Sequence, residues 1–389
     1  MQPAFEVADV LNAHWPAVQH SNFNTWQLRT LDAVRRCRTA SLGSHIDGCT
    51  SCAHLRISYN SCRNRHCPKC QGKQREAWIL AREEELLPVP YFHVVFTLPD
   101  TLNKLCMYKP KQLYETLFST AWSVINSFGN DPKSLGAQTG MISILHTWGQ
   151  TLTLHPHLHC IVPGGGLTKS GGWKMARSKG KYLFNVKAMS IAFRGKFIAA
   201  LKQHLSHHLD KALINALYKH NWVVYAKRPF TGPQSVVEYL GRYTHKIAIS
   251  NHRIKQIEDK QVTFSYKDYK HRSVKKEMTL DGLEFIRRYS LHILSKGLVR
   301  IRHYGILSST SKKKAASIIK QQLPPAKPVV PTRPATQPYD PKACPCCKND
   351  TMQTIMRFNR RGPPADWQQL ATDLLESIIT TDVLKNEAA

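Results

Sequence analysis

The sequence predicts an α+β protein: a small, cysteine-built N-terminal module, then a larger domain with a central antiparallel sheet and flanking helices. Three observations carry this expectation. Hydrophobic periodicity fails between Cys49 and Cys70, where Cys, His, Asn and Arg crowd together. Helical and strand-like patterns then mix from about residue 89 to 310, and a proline-rich stretch, PPAKPVVPTRPATQP, closes the patterned region.

In chain order, residues from about 5 to 40 read as helical, and the aperiodic segment after them reads as built around metal in place of an apolar core. QREAWILAREEELLP reads as a helix, and Pro88 and Pro90 mark a boundary before the strand YFHVVFTLP. PKQLYETLFSTAWSVINSFG is an amphipathic helix, MISILHTWG and TLHPHLHCIVP are strands, and NVKAMSIAFRGKFIAALKQHL is a further helix. A helix through SVVEYLGRYTHKIA, strands in ISNHRI and QVTFSYKDY, and a helix in LDGLEFIRRYSLHIL lead into the basic run KGLVRIRHYGIL. No internal repeat is found. The expected division is therefore 1–88 for the metal-built, DNA-binding module, 89–310 for the main domain, 311–342 for a basic and proline-rich linker, and 343–389 for a loosely ordered C-terminal tail.

Composition narrows the partners. Lysine and arginine number 55 against 26 aspartate and glutamate, a formal net charge of +29 in 389 residues, and the sequence pI is about 9.8. The excess favours a nucleic-acid partner, bound in a salt-dependent way, over a merely basic soluble protein or a ribosome-associated factor. The N-terminal MQPAFEVADV lacks a basic region followed by an apolar run, and no stretch approaches about 18 consecutive apolar residues. The expectation is a cytoplasmic, nucleoid-associated protein with no membrane partner.

Six of the eleven cysteines fall between Cys37 and Cys70, which in a reducing compartment points to metal and away from disulfides. Cys49 and Cys52 form a Cys-x-x-Cys pair, and Cys67 and Cys70 repeat it after fourteen intervening residues. Two such turns complete a tetrahedral sulfur site suited to structural Zn2+. Cys62 and His66 are further candidate ligands, so a second site or a different ligand set stays open, while Cys37 reads slightly better as a small buried hydrophobe. Cys106 and Cys160 read as packing residues. Cys344-Pro-Cys346-Cys347 is half of a zinc site without a partner pair: a degenerate knuckle, or a site completed between chains. Arg63, Arg65 and Lys69 put charge on this module and are candidate DNA contacts, with a solvated basic face as the plainer reading.

In TLHPHLHCIVP, His157 and His159 flank Leu158 on a strand, so both imidazoles share one face and can hold a divalent cation. A His-x-His pair is a weak signal alone, and His155, His146 and His93 compete for third ligand. Tyr239 and Tyr243, four residues apart in a helical pattern, share a helix face. A pair at that spacing is more often packing than chemistry, but here it accompanies His-x-His, a cysteine module and strong positive charge. Basic residues alternate with aromatics around Phe264, Tyr266, Tyr269 and Tyr304, with Lys267, Lys270, Arg300 and Arg302 interleaved; such a pattern suits stacking on unpaired bases, although sheet packing accounts for at least half of the rings.

Taken together, CRNRHCPKCQ, YFHVVFTLP, LHTWGQTLTLHPHLHCIVPGGG, FRGKF, EYLGRYTHKIAISNHRI, TFSYKDY and RIRHYGIL resemble, in order, the two-tyrosine, rolling-circle transposases of the insertion sequence ninety-one type, within the HUH single-strand nuclease superfamily. The resemblance spans most of residues 10 to 310. It implies an HUH-type catalytic domain in which His157 and His159 hold Mg2+ or Mn2+ and Tyr239 and Tyr243 are the nucleophiles. It further implies cleavage and rejoining of single-stranded DNA, at the ends of the protein's own element and at target DNA, through a 5′-phosphotyrosine intermediate. Arg242, Lys246, Arg300 and Arg302 are candidate DNA contacts on the matching segments. A plasmid replication initiator or relaxase with the same chemistry, and a catalytically inactive zinc-dependent DNA-binding regulator, are the alternatives.

Overall fold

The structure is a computed structural model and describes residues 3–71, 87–177, 182–227, 247–269, 271–323 and 340–387. The described helices are α1 (Val7–Gln19), α2 (Thr25–Arg35), α3 (Asn103–Tyr108), α4 (Pro110–Asn130), α5 (Val186–Leu205), α6 (Lys211–Lys219), α7 (Gly282–Ser290), α8 (Lys312–Gln322) and α9 (Trp367–Glu387). The strands are β1 (Ser44–Cys49), β2 (Leu55–Tyr59), β3 (Tyr91–Thr97), β4 (Gly140–Trp148), β5 (Leu154–Pro163), β6 (Gly165–Leu167), β7 (Trp173–Met175), β8 (Val224–Lys227), β9 (Ile254–Glu258), β10 (Gln261–Asp268), β11 (Val274–Asp281), β12 (Ile301–Gly305) and β13 (Met352–Phe358).

Among the described residues the central sheet runs β12-β4-β5-β3-β8, each pair antiparallel. Period-two alternation gives its strands two faces of different character. Phe92, Val94 and Phe96 of β3, Met141 and Leu145 of β4, and Leu158, Cys160 and Val162 of β5 share one apolar cluster with Leu117, Phe118 and Val124 of α4 and Phe193, Phe197 and Leu201 of α5. Pro110 opens α4 at its first turn, where a missing N–H costs nothing, and Asn185 caps α5 by accepting from the Ala188 amide. Leu158 is wholly buried in this core, and truncating such a side chain to alanine costs about 2–5 kcal/mol. The opposite face divides along its length. At one end Tyr91, Ile142, Ile144 and Ile161 lie with Ala315 and Ile319 of α8 in a second apolar cluster. The other end carries histidines.

A third cluster brings Val10 and Leu11 of α1 and Leu31 of α2 together with Phe264 of β10 and Phe285, Ile286 and Tyr289 of α7. α7 begins where Asp281 accepts from the Leu283 and Glu284 amides, and it approaches α1 so closely that a Cβ on Gly282 would lie 2.2 Å from the His14 ring. Trp26 Nε1 donates to the Leu294 carbonyl at 3.0 Å. The expected division at residues 88 and 89 is therefore crossed by a shared core.

The chain end departs further from expectation. A loosely ordered tail over 343–389 does not describe it: β13 pairs with β1 to complete the sheet β13-β1-β2, and Leu375 of α9 packs over Gly48, where a Cβ would lie 2.9 Å from its methyl carbon. Thr354 donates to Asp47 at 2.8 Å across that pairing. The expected linker also begins with a helix, α8, whose Ile319 is fully buried. The segments QREAWILAREEELLP and SVVEYLGRYTHKIA lie outside the described residues except for their last two positions.

His292, just past α7, ties that helix to the β4–β5 hairpin. Its Nδ1 lies 3.1 Å from Thr147 Oγ1 and its Nε2 3.0 Å from the Leu152 carbonyl. A neutral ring donating from Nε2 and accepting at Nδ1 satisfies both contacts. Burial lowers its pKa to about 4. The unfolded chain takes up a proton at the ordinary histidine value while the folded one resists it. Stability is therefore lost as pH falls between the two values, by on the order of 1 kcal/mol per pH unit from this residue. Thermal melts from pH 7 to pH 5 should show Tm falling, and His292→Asn should start less stable but fall less steeply.

Candidate functional site

On the histidine end of the sheet, β4 and β5 are in register so that His146 stands directly opposite His157 and Ile144 opposite His159. All three imidazoles therefore share one face. One ring nitrogen from each of His146, His157 and His159 lies within 4.8 Å of the others, and the ring centroids are 4.6 to 5.4 Å apart. The pair expected from sequence is thus brought together, and His146 joins it from the neighbouring strand. His155 is not among the three ligand atoms: its ring lies 5.1 Å from that of His157, but 45% of its side chain is exposed and it faces Asp100 at 4.0 Å. His93, the other rival, lies behind the trio, with Nε2 at 2.9 Å from His159 Nδ1.

These contacts fix orientation. His157 Nδ1 lies 2.6 Å from the His155 carbonyl, so it carries the proton and donates, leaving Nε2 as the lone-pair nitrogen. His159 Nδ1 is engaged by His93, whose pKa burial lowers to about 4, with Lys227 and His157 adding to the effect. The tautomer in which His159 Nδ1 donates to a neutral His93 leaves His159 Nε2 as the nitrogen able to meet a metal. His146 stacks on Trp148 at 4.6 Å, and the Arg300 guanidinium lies 5.2 Å from the Trp148 ring on which His146 rests. Such an arrangement of oriented imidazoles can coordinate a divalent cation.

The cysteines pair differently from expectation. Cys49 and Cys52 do not meet Cys67 and Cys70; the structure places the two Cys-x-x-Cys pairs in separate clusters. Cys67 and Cys70 join Cys37 and Cys62, with sulfur separations of 3.6 Å for Cys37–Cys70 and 3.7 Å for Cys62–Cys70. Cys49 and Cys52 join Cys344 and Cys347. The physical reason is the β1–β2 hairpin, which carries Cys49 and Cys52 to its far end, against β13. Cys37 is a cluster member and not simply a small hydrophobe, and His66 is not among the four ligand atoms. Hydrogen bonding with Cys37 and Cys62 drives the Cys70 thiol far below its ordinary pKa, while contacts with Cys37, Cys62 and Cys70 drive Cys67 far above.

A family model described as "Putative transposase" matches residues 140–315, and one described as "Transposase zinc-binding domain", of the IS91 type, matches residues 10–98. A protein of Sinorhizobium fredii, "Putative transposase y4qJ", is 39% identical over 390 residues, covering 93% of this chain and 98% of its own length. The chain belongs to the IS91 family of transposases. A second relative of the transposase, from Pseudomonas savastanoi pv. phaseolicola and described as the transposase for insertion sequence element IS801, is 29% identical over 304 residues, 73% of this chain and 70% of its own length. No solved structure matches. The zinc-binding match covers Cys37, Cys49, Cys52, Cys62, Cys67 and Cys70, and the cysteine clusters support structural zinc in the transposase. Among the described residues, no helix is long and apolar enough to cross a membrane.

Tyr239, Tyr243, Arg242 and Lys246 lie outside the described residues, as does Lys270. The other basic candidates are used in different ways. Arg63 is exposed. Lys69 is held by Glu6 at 2.5 Å and donates to the Cys37 carbonyl. Arg302 lies 4.3 Å from the centre of the Phe118 ring, and burial pulls Arg300 down to about 9. Arg65 points inward and donates to the carbonyls of Leu298 at 2.5 Å, Ser295 at 3.0 Å and Leu294 at 3.4 Å, with burial lowering its pKa. Its role here is to close the 294–298 turn, because its donors are already committed to backbone. Among the aromatics, Phe264 is core, Tyr304 stacks on Trp122, and Tyr269 is 66% exposed. Arg65→Ala should lower unfolding free energy by about 2–3 kcal/mol, the cost of leaving enclosed carbonyls unpaired; Arg63→Ala should stay within about 0.5 kcal/mol. Denaturant melts of the two variants check the contrast.

Proposed function

We propose that this transposase cuts and rejoins single-stranded DNA by tyrosine transesterification during rolling-circle transposition of its own insertion sequence. The observation that carries the reading is the convergence of His146, His157 and His159 on one sheet face beside the two ends of the 228–246 segment, which bears both tyrosines. Lys227, the last residue of β8, stands opposite His93, and Ile247 and Ala248 line one small cavity with Thr147 and Trp148. The segment therefore leaves and re-enters the described chain next to the histidine trio.

The trio fits a divalent cation by its donor set and its oriented ring nitrogens. Imidazole donors suit Mn2+ better than Mg2+, which prefers oxygen, although oxygens from DNA and water can complete either shell. When bound, the ion would neutralise charge on the scissile phosphate. His146, His157 and His159 would hold it, His93 and Trp148 position them, and Tyr239 or Tyr243 supplies the nucleophile. The phenol gives up its proton as its oxygen bonds to phosphorus, the bond to the 3′ oxygen breaks, and that oxygen takes up a proton, leaving a 5′-phosphotyrosine and a free 3′-hydroxyl. Attack by another 3′-hydroxyl reverses the exchange. A second tyrosine allows a second strand to be held while the first is still attached.

The DNA partners in this reading are the ends of the element and the target strand, met in the cytoplasm at the nucleoid. The β10–β11 hairpin is a suitable contact surface, since Lys267, Tyr269, Arg272 and Lys275 are all exposed there.

Incubating the protein with labelled single-stranded DNA from its element's ends, with and without Mn2+, should give a protein-linked band on a denaturing gel. Tyr239→Phe with Tyr243→Phe should abolish it. Retained DNA binding without any covalent product from the unsubstituted protein would favour the inactive-regulator alternative. His93→Ala should raise the Mn2+ concentration for half-maximal cleavage by about 10- to 100-fold, with a smaller loss at saturating metal; a Mn2+ titration of the cleavage rate reads this out.

A further inference from the structure

We infer that Cys49, Cys52, Cys344 and Cys347 form a second structural zinc site that clasps the chain's C-terminal end to its N-terminal module. Residues 344 and 347 lie beyond both family matches, which end at residues 98 and 315.

Three observations carry this. The first is spacing. Tetrahedral zinc with Zn–S bonds of about 2.3 Å places its sulfurs about 3.8 Å apart. Cys49 and Cys347 have their sulfurs 3.6 Å apart, Cys52 and Cys344 also 3.6 Å, and all four lie within 4.8 Å of one another.

The second is that the two cysteine turns repeat one backbone design. In the first, the Cys49 amide donates to the His54 carbonyl at 3.0 Å and the Ala53 amide returns to the Cys49 carbonyl at 3.0 Å. In the second, the Cys344 amide donates to the Asn349 carbonyl at 2.8 Å and the Lys348 amide returns to the Cys344 carbonyl at 3.0 Å. The residue after each second cysteine takes the left-handed conformation, Ala53 at φ 56 and Lys348 at φ 67. Neither is glycine, so each turn holds an uncommon backbone for a side-chain-bearing residue. Both turns present two sulfurs inward, and the Cys346 amide points at Cys344 Sγ at 3.4 Å.

The third is the surroundings. The site caps the β1–β13 pairing, with Cys49 opposite Met352 in register. Among the described residues, the apolar cluster around it is Cys49, Cys344 and Met352, with Cys347 packed against it. Beyond the β1–β13 ladder and Leu375 of α9 on Gly48, this small core gives the 344–349 turn little apolar support, and a metal joining its sulfurs to those of the N-terminal turn supplies it.

Zinc content and thiol reactivity of the full-length, zinc-loaded protein test the clasp. Cys344→Ser with Cys347→Ser should lower bound zinc by one per chain relative to the unsubstituted protein, a difference unaffected by metal at the histidine trio. Cys346→Ser, whose sulfur is outside the cluster, should leave the content unchanged. Because the double variant can misfold, alkylation of the unsubstituted protein followed by peptide mass spectrometry gives an independent readout. Cys49, Cys52, Cys344 and Cys347 should be protected until a chelator is added, while exposed Cys346 reacts in both states. Equal alkylation of Cys344 and Cys347 before and after chelation would overturn the inference. So would protection lifted only by a thiol reductant, since that marks a disulfide.

Discussion

The pairing of β4 with β5 sets Leu145 against Leu158 on one face of the sheet and His146 against His157 on the other. A slip of one residue would turn Leu158 out of a closed core and the imidazoles into it. The helices α4 and α5 make that slip expensive, because they bury the apolar face completely. The polar face thus inherits its precision from packing on the opposite side. Where regular pairing ends, a register shift between His146 and Trp148 re-aims the tryptophan so that it lies flat against His146. Arg300 arrives from the segment before β12 to cover the other end of that stack.

The amino-terminal region is organised on a different principle. Its three-stranded sheet is too small to bury an extensive core of its own, and its strand burial is partial along β2 and β13. Sulfur clusters stand in for the missing apolar contacts, as is common where little hydrophobic area is available. Helices α1 and α2, by contrast, use ordinary packing, but against α7 and β10 from far along the chain. The sequence boundary between module and main domain is accordingly not a boundary in space.

Much of the central domain was legible because its patterns are local. TLHPHLHCIVP alternates, so the shared face of His157 and His159 and the inward Leu158 follow from period two alone. His146 was legible only as one of several rivals, because its place depends on which residue of β4 meets His157, and no local signal gives register between strands. The role of His93 behind His159 was hidden for the same reason. The strands β1 and β2 were missed because polar and cysteine-rich residues mask a hairpin whose burial is incomplete. Two adjacent Cys-x-x-Cys pairs suggested one site by proximity, whereas the cluster of Cys49 and Cys52 is completed by residues some three hundred positions away, and short-range spacing carries no trace of that. The repeated left-handed turn after Cys52 and Cys347 was the signal available, but neither Ala53 nor Lys348 advertises that conformation as glycine would. Arg65 looked like a surface charge because residue type reveals nothing of the carbonyls it meets.

The interleaving of the two cysteine groups has a temporal side. The chain emerges from the ribosome in order, so Cys37, Cys62, Cys67 and Cys70 are all available early, while Cys49 and Cys52 have no sulfur partners until residues 344 and 347 are made. At roughly 5–20 residues per second, synthesis of the intervening chain occupies about 15 to 60 s. During that interval the nascent protein can fold its central sheet, yet β1 lacks its neighbour β13 and displays an unpaired thiol pair at its tip. Maturation therefore finishes where it began, at the amino-terminal hairpin, and a ribosome that stops short of the last fifty residues releases a product with an open sheet edge and two reactive sulfurs.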